Sequence, residues 1–283
     1  MSRTTLIQQT VARTLRFAGV GLHSGKKVTA TVFAASDNTG IWFETQAGKR
    51  VLATWENVVD TRLCTVLGDR EDQSCRISTV EHILAAFSMC NIHNAIVSVD
   101  SSELPILDGS ALHYCRDFKS VKGNEPVTRI KVTRPVVTTF GSSTACLLPS
   151  DAFSVAVDVD FGALLPRRSV QVDKETCKKE IGSARTFTFK SCIESMCQNG
   201  IALGGSLDNA IVFDHLGKPI NPPLRFPDEW ARHKTLDCIG DLYLAGAPIE
   251  GRFISYKPGH TSNFSLVKAL MESPSKYDFI TVG

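Results

Sequence analysis

The feature that most constrains this fold is a repeated order of predicted elements on either side of residues 122–128. Each side begins with short segments of alternating apolar and polar residues, which predict strands, and continues with helix, strand and helix. The segment between them, "KGNEPVT", has the composition of a linker. We therefore expect an α+β fold of two similar domains, residues 1–124 and residues 125–283, with the active site in the cleft between them.

Composition narrows the classes of function. Apolar residues make up 43% of the chain, and 31 Lys and Arg residues nearly balance 29 Asp and Glu residues, without a long basic run. We therefore expect a packed protein that does not bind nucleic acid. The nine cysteines include no CxxC motif, and their odd number in a chain of this length argues against a disulfide framework, so we expect free thiols in the reducing cytoplasm. No signal peptide or transmembrane segment is predicted, so any association with a membrane would be transient. We also expect a monomer.

The stretch "FPDEWARHKTLDCIGDLYLAG" has the signals of a helix, with Pro227 and two acids at its start and Gly246 at its end. His233, Asp237 and Asp241 follow one another at intervals of four residues, which stacks them on one helix face. This spacing suits a metal or catalytic site. Taken alone, it is more typical of a surface His–Asp pair worth ~0.3 kcal/mol, because the HxxxD pattern is short and common.

Other candidate residues are each ambiguous when taken alone. Glu81 and His82 follow Ser78, so Glu81 is predicted to close a capping box with it. His260 lies in "KPGHTSN", predicted as a loop between a strand and a helix, and His23 lies in the tight loop "GLHSG". Thr186 belongs to "SARTFTF", whose alternation a strand explains.

Together, these residues contain the ligand set of a catalytic zinc, which takes three protein ligands and leaves one position open. His82, His233 and Asp237 would supply the three ligands. A structural zinc would require a fourth protein ligand, often a cysteine, and the chain has no cysteine cluster.

Seven motifs occur in an order that resembles the UDP-3-O-acyl-N-acetylglucosamine deacetylases, zinc amidases that carry out the committed step of lipid A synthesis. They span roughly residues 10–270 and read "GVGLHSG", "STVEHILAAF", "LPILDGSA", "ARTFTF", "GGSLDNAIVFD", "DEWARHKTLDCIGDLYLAG" and "GHTSN". The resemblance implies two domains, each a small sheet packed on two helices, with the helices facing each other in a β-α-α-β sandwich.

The resemblance also implies residue roles and a cofactor. Zinc, or ferrous iron in its place, is held by His82, His233 and Asp237. Glu81 matches the general base, His260 the catalytic histidine, Thr186 the residue that binds the oxyanion and Asp241 the partner of the catalytic histidine. The implied mechanism is hydroxide attack on the acetyl carbonyl with proton transfer through Glu81 and His260.

The implied substrate is a UDP-sugar that carries a fatty acyl chain. Its predicted contacts are Lys234, Phe187, Phe161, His23, Ile193 and Ser206. Phe161 is predicted to stack on the uracil, and Ile193 to line an acyl channel. One departure from the family pattern is Leu148, which stands where a lysine often helps to hold the nucleotide.

Two alternatives remain open at this point. Another zinc amidase, acting on a different acetylated sugar, would have the same ligands but no acyl channel. A silent nucleotide-sugar binder would have a broken set of ligands or base, and the presence of Glu81, His82, His233, Asp237 and His260 argues against it.

Overall fold

The computed structural model describes residues 5–221 and 223–281. In its first half the strands and helices are β1 (Ile7–Val11), β2 (Leu15–Val20), β3 (Lys27–Ala34), β4 (Ile41–Glu44), β5 (Arg50–Leu52), β6 (Val58–Asp60), β7 (Val66–Gly68), β8 (Arg76–Ser78), α1 (Glu81–Met89), β9 (Ala95–Val99), α2 (Leu112–Asp117) and β10 (Ser120–Pro126).

The second half contains four α-helices and ten strands among the described residues. They are β11 (Thr128–Val132), β12 (Val136–Phe140), β13 (Ser143–Leu148), β14 (Ser154–Val159), β15 (Arg168–Asp173), α3 (Cys177–Ile181), β16 (Phe187–Phe189), α4 (Lys190–Gln198), β17 (Ile211–Phe213), α5 (Glu229–Leu242), β18 (Ile249–Glu250), β19 (Arg252–Tyr256), α6 (His260–Met271) and β20 (Tyr277–Thr281).

The two halves contain five-stranded sheets of the same topology. The first sheet has the order β2-β3-β9-β4-β5 and the second the order β12-β13-β19-β14-β15. In each sheet one inner pair is parallel, β4 with β9 and β14 with β19, and the other pairs are antiparallel. The predicted α+β fold of two similar units is therefore confirmed.

Alternation of side chains explains why one face of each sheet is buried. In β3 the buried residues are Val28, Ala30 and Val32, and in β14 every second residue from Val155 is buried. The buried faces pack on helices. Phe17 of β2 lies 4.7 Å from Tyr114 of α2 between ring centroids, and α5 and α6 pack on the second sheet. The helices therefore lie between the two sheets, as the predicted sandwich requires.

Helices α1 and α5 cross at Gly240. A Cβ atom at this position would lie 2.1 Å from the carbonyl oxygen of Glu81, so only glycine allows the two helices to approach so closely. Glycine inside a helix costs about 1 kcal/mol relative to alanine. Because Gly240 has no Cβ atom, the start of α1 can lie directly beside the polar face of α5.

The prediction that residues 122–128 form an irregular linker is wrong, because most of them lie in strands. Residues 120–126 form β10, which pairs with β1 in an antiparallel sheet, and β11 starts at Thr128. The polar composition reflects the exposure of β10, since a strand with few buried residues looks like a linker in sequence. The division into domains at residue 124 remains a prediction.

Two predicted helix starts also differ from the structure. Ser78 ends β8, and no side chain among the described residues caps α1, so the predicted capping box is not formed and Glu81 is free for another partner. His260 was expected in a loop but is the first residue of α6. The helix begins early because the Gly259 N–H donates a hydrogen bond to the Ser262 hydroxyl, 3.1 Å away.

Within the described residues, no helix combines the length and the apolar character that crossing a bilayer requires.

Candidate active site and metal centre

A cavity of about 510 Å³ opens where α1, α5 and α6 meet. Ten of the thirteen site residues predicted from sequence line it, which are His23, Glu81, His82, Phe161, Thr186, Phe187, His233, Lys234, Asp237 and His260. Residues far apart in sequence thus converge on one cavity, which residues from both halves of the chain line.

Three side chains in this cavity form a candidate metal centre. One ligand atom from each of His82, His233 and Asp237 lies within 4.8 Å of the other two. Asp237 Oδ1 is 3.3 Å from His233 Nε2 and 3.7 Å from His82 Nε2. Tetrahedral ligands of zinc, bonded at about 2.0–2.2 Å, lie about 3.3 Å from one another, so these two separations are close to those that zinc requires.

The hydrogen bonding of the cluster also fits a cation. Asp237 Oδ1 is buried and has no hydrogen-bond partner among the described residues. A buried carboxylate oxygen without a donor is costly, and a bound cation would compensate for that cost. His233 Nδ1–H donates to the Ala184 carbonyl at 3.0 Å, which leaves its Nε2 lone pair directed at Asp237.

Burial keeps the histidine ligands neutral. It lowers the pKa of His82 to about 3 and also lowers the pKa of His233. Burial raises the pKa of Asp237, but its electrostatic interactions with His233, Lys234 and His260 outweigh burial and hold that pKa well below its usual range. At neutral pH the three residues therefore present two neutral imidazoles and one carboxylate, which is the protonation state that metal binding requires.

Glu81 lies beside this cluster at the start of α1. Its Oε2 accepts a hydrogen bond from the Thr65 N–H at 3.0 Å, and its Oε1 lies 3.9 Å from His260 Nε2. Burial raises the pKa of Glu81 to about 7. A carboxylate whose pKa lies near neutrality can exchange a proton with water and is suited to general base catalysis.

His260 faces Glu81 with its Nε2 atom and is hydrogen-bonded to Asp241 through its Nδ1 atom. Its Nδ1 donates to Asp241 Oδ2 at 2.9 Å, and Asp241 is only 1% exposed. Burial lowers the pKa of His260, but attraction and hydrogen bonding to Asp241, together with the charges of Glu81 and Asp237, raise it to about 9. The imidazole is therefore cationic at neutral pH and can donate a proton from Nε2.

An ion pair anchors the segment that contains Thr186 and Phe187. The Arg185 guanidinium pairs with the fully buried Glu229 at the start of α5, with 2.8 Å between Nε and Oε1. The Thr186 N–H donates to the Gly109 carbonyl at 2.7 Å, and Phe187 packs edge-on against the His233 ring. These contacts hold Thr186 and Phe187 at the cavity wall, and Phe161 packs against Phe187 with 5.4 Å between centroids.

The loop around His23 is held by the buried carboxylate of Glu103. The N–H groups of His23 and Ser24 each donate to it at 2.8 Å, and the Thr79 hydroxyl donates at 3.1 Å. His23 Nδ1 is buried without a hydrogen-bond partner among the described residues. A ligand in the cavity could supply that partner.

The other predicted site residues lie outside the cavity wall. Asp241 is hydrogen-bonded to His260 on the side away from the cavity, whereas Ile193 is half-buried on α4 and Ser206 is exposed beside a turn. Their contact with substrate remains a prediction. Leu148 is half-buried at the end of β13 and also lies outside the lining, whereas Lys234 and Arg62 are cations that line the cavity.

Sequence reasoning missed four residues that the structure places in or around the site. They are Arg62, Thr65, Glu103 and Asn263. Asn263 lies in the motif "GHTSN" and could have been noticed there. Thr65 stands in the predicted strand "RLCTVL", where a threonine attracts no attention because β-branched residues are common in strands.

Comparisons with known proteins match nearly the whole chain. Residues 8–272 match the family model described as UDP-3-O-acyl N-acetylglycosamine deacetylase. Among relatives named UDP-3-O-acyl-N-acetylglucosamine deacetylase, that of Syntrophus aciditrophicus (strain SB) is 40% identical over 95% of this chain and 88% of its own. That of Shewanella sp. (strain W3-18-1) is 40% identical over 98% of this chain and 93% of its own. That of Anaeromyxobacter dehalogenans (strain 2CP-C) is 42% identical over 97% of this chain and 91% of its own.

Proposed function

The chain belongs to the UDP-3-O-acyl-N-acetylglucosamine deacetylase family, and from that premise we propose the role of each of its residues in catalysis. The reaction is hydrolysis of the N-acetyl group of UDP-3-O-acyl-N-acetylglucosamine to a free amine and acetate, a step of lipid A synthesis. One observation supports the proposal above all others. The buried, unpartnered Asp237 Oδ1 faces two imidazole nitrogens, with Glu81 and His260 in the same cavity.

His82, His233 and Asp237 would hold one zinc ion per chain. Their two nitrogens and one oxygen form a donor set that zinc favours, although ferrous iron also accepts two histidines and a carboxylate. The ion would supply a Lewis acid, which makes water a stronger nucleophile and polarises the acetyl carbonyl.

The protein's own groups would move the protons. Glu81 would accept a proton from the attacking water, using the Oε1 atom that faces His260 Nε2. The Thr186 hydroxyl and the His260 cation would stabilise the oxyanion that forms on the acetyl oxygen. His260 would then give its Nε2 proton to the sugar nitrogen as the C–N bond breaks, since an amine leaves poorly without a proton.

The cavity wall supports a nucleotide-sugar substrate. Lys234 and Arg62 offer positive charge to a diphosphate, which the uncharged Leu148 cannot do. Phe161 offers an aromatic face to the uracil. The exposed Leu63, at the same cavity, offers apolar surface to an acyl chain. We also propose a cytoplasmic location, which the nine free cysteines support.

The direct test of this function is release of acetate from UDP-3-O-acyl-N-acetylglucosamine by the purified protein. UDP-N-acetylglucosamine without the acyl chain is the matched control, and we expect a much lower kcat/KM for it because the acyl contacts are lost. Equal rates on both compounds would argue for an amidase of another acetylated sugar.

Replacement of His260 by alanine should lower kcat about 10²–10⁴-fold while changing KM little, because general acid catalysis contributes this much to the transition state. Steady-state kinetics on the acylated substrate measure both constants. A rise in KM at nearly unchanged kcat would assign His260 to substrate binding instead.

The pH dependence of kcat/KM should be bell-shaped. Glu81 must be ionised, and burial raises its pKa to about 7, so activity should rise with pH up to that region. His260 must be protonated, and Asp241 contributes to a pKa of about 9, so activity should fall above that region. A divalent cation lowers the pKa of both groups, so in the loaded enzyme both limbs should lie at or below these values.

The variant Asp241→Asn tests the sign of this dependence. Burial lowers the pKa of His260, and this variant would lack the aspartate charge that raises it, so the falling limb should move to lower pH. A falling limb that stays in place or moves to higher pH would show that His260 does not produce it.

A further inference from the structure

Thr65 lies where three structural elements of the site meet. It stands just before β7, is 1% exposed, and uses each of its polar groups. Its carbonyl accepts a hydrogen bond from the Val80 N–H at the start of α1, at 3.4 Å, and its own N–H donates to Glu81 Oε2 at 3.0 Å. Its hydroxyl donates to Asp241 Oδ1 on α5 at 2.6 Å.

The hydroxyl completes the hydrogen bonding of the Asp241 carboxylate. Asp241 Oδ2 accepts from His260 Nδ1 and from the Asn263 side-chain amide, each at 2.9 Å. Oδ1 accepts from the Thr65 hydroxyl, which also lies 3.4 Å from His260 Nδ1. These three donors fix the plane of the carboxylate, and that plane decides the direction in which His260 presents Nε2.

Without the Thr65 hydroxyl, a buried carboxylate oxygen would lose its donor. An unsatisfied charged atom in the interior is unfavourable, so the carboxylate would rotate towards the remaining donors. Rotation would change the Asp241–His260 hydrogen bond and turn the imidazole away from the position that faces Glu81 Oε1. The fixed χ1 angle of a β-branched residue suits Thr65 to this role.

We propose that Thr65 is a positioning residue for deacetylation, which orients the proton donor His260 through Asp241 and the proton acceptor Glu81 through its backbone amide. This inference rests on the proposed function. Thr65 would not contact the substrate, and it is absent from the cavity lining. It would link the acid and the base so that both face the same point in the cavity.

Side-chain variants test the hydroxyl. Thr65→Val keeps the shape but removes the donor, and we expect a fall in kcat of about 10- to 100-fold, typical for loss of such a supporting partner, at nearly constant KM and metal content. Thr65→Ser restores the donor and should recover kcat to within about threefold of the unmodified protein. Thr235→Val is the matched control, because Thr235 is equally buried on α5 but its hydroxyl donates to the Ala231 carbonyl of its own helix.

A double variant separates positioning from general damage to the fold. If Thr65 acts through His260, Thr65→Val should cause little further loss in a protein that already carries His260→Ala. The proposal is overturned if Thr65→Val lowers kcat by the same factor in both backgrounds, or if Thr65→Ser is as impaired as Thr65→Val. If Thr65→Val does not fold, Thr65→Ala replaces it with the same expectations.

The outcome is distinguishable from failure of the proposed function. If the unmodified protein releases no acetate, the function itself is wrong. If it releases acetate and His260→Ala lowers kcat while Thr65→Val does not, only the role of Thr65 is wrong.

Discussion

Replacement of His233 by alanine should yield a protein that purifies with little bound metal and shows almost no acetate release. His233 would supply one of three ligands, and its Nε2 lies 3.3 Å from the unpartnered Asp237 Oδ1. Two ligands hold zinc far more weakly than three, so activity should fall by at least about 10³-fold. Elemental analysis of the purified variant measures the metal independently of turnover.

The matched control is His215→Ala, which removes an exposed histidine in the turn after β17. This variant should keep one metal per chain and ordinary turnover. If His233→Ala kept a full equivalent of metal and near-normal turnover, the assignment of His233 as a ligand would have to be withdrawn.

Replacement of Glu81 by glutamine should separate catalysis from metal binding. Glutamine has the same shape and can still accept a hydrogen bond from the Thr65 N–H, but it cannot take a proton from water. We expect kcat to fall about 10³-fold, within the range for a general base, at unchanged metal content and little change in KM. Metal analysis and steady-state kinetics on one preparation give all three quantities.

Glu250→Gln is the control for loss of a buried glutamate. Glu250 is 3% exposed, pairs with Arg129 on β11 and does not line the active-site cavity. The Glu250→Gln variant should retain ordinary turnover. Full activity in Glu81→Gln would remove Glu81 from the mechanism, and loss of metal in that variant would assign it to the metal centre instead.

The sequence predicts the polar face of α5 well because the rule behind it is local. Residues four apart in a helix lie on one face, and His233, Asp237 and Asp241 all point towards the site in the structure. The sheets are predicted for the same reason, since alternation along β3 and β14 is a property of neighbouring residues.

The approach of α1 to α5 could not be predicted from local pattern. It depends on Gly240, which in sequence is only a weak point in a helix, and on Glu81, 159 residues earlier. The capping box failed for a related reason, because the Glu81 side chain is drawn to the Thr65 N–H rather than to its own backbone. The residue types suggest that His82 joins His233 and Asp237 as a ligand, and the motif resemblance to the family supports this combination.

The roles of Thr65 and Glu103 could be predicted neither from local sequence patterns nor from the resemblance to the family. Each stabilises the site through hydrogen bonds to residues that are distant in sequence, and neither belongs to a pattern with a characteristic spacing. The importance of such supporting residues becomes visible only when the donors and acceptors of buried groups are matched.

The central claim is that His82, His233 and Asp237 hold one catalytic metal ion. It is tested most directly by stripping the purified protein with a chelator and adding back zinc in small steps while acetate release is followed. We predict that the stripped protein is inactive and that activity rises in proportion to zinc up to one equivalent per chain. Full turnover by stripped protein, shown by elemental analysis to be metal-free, would contradict this claim.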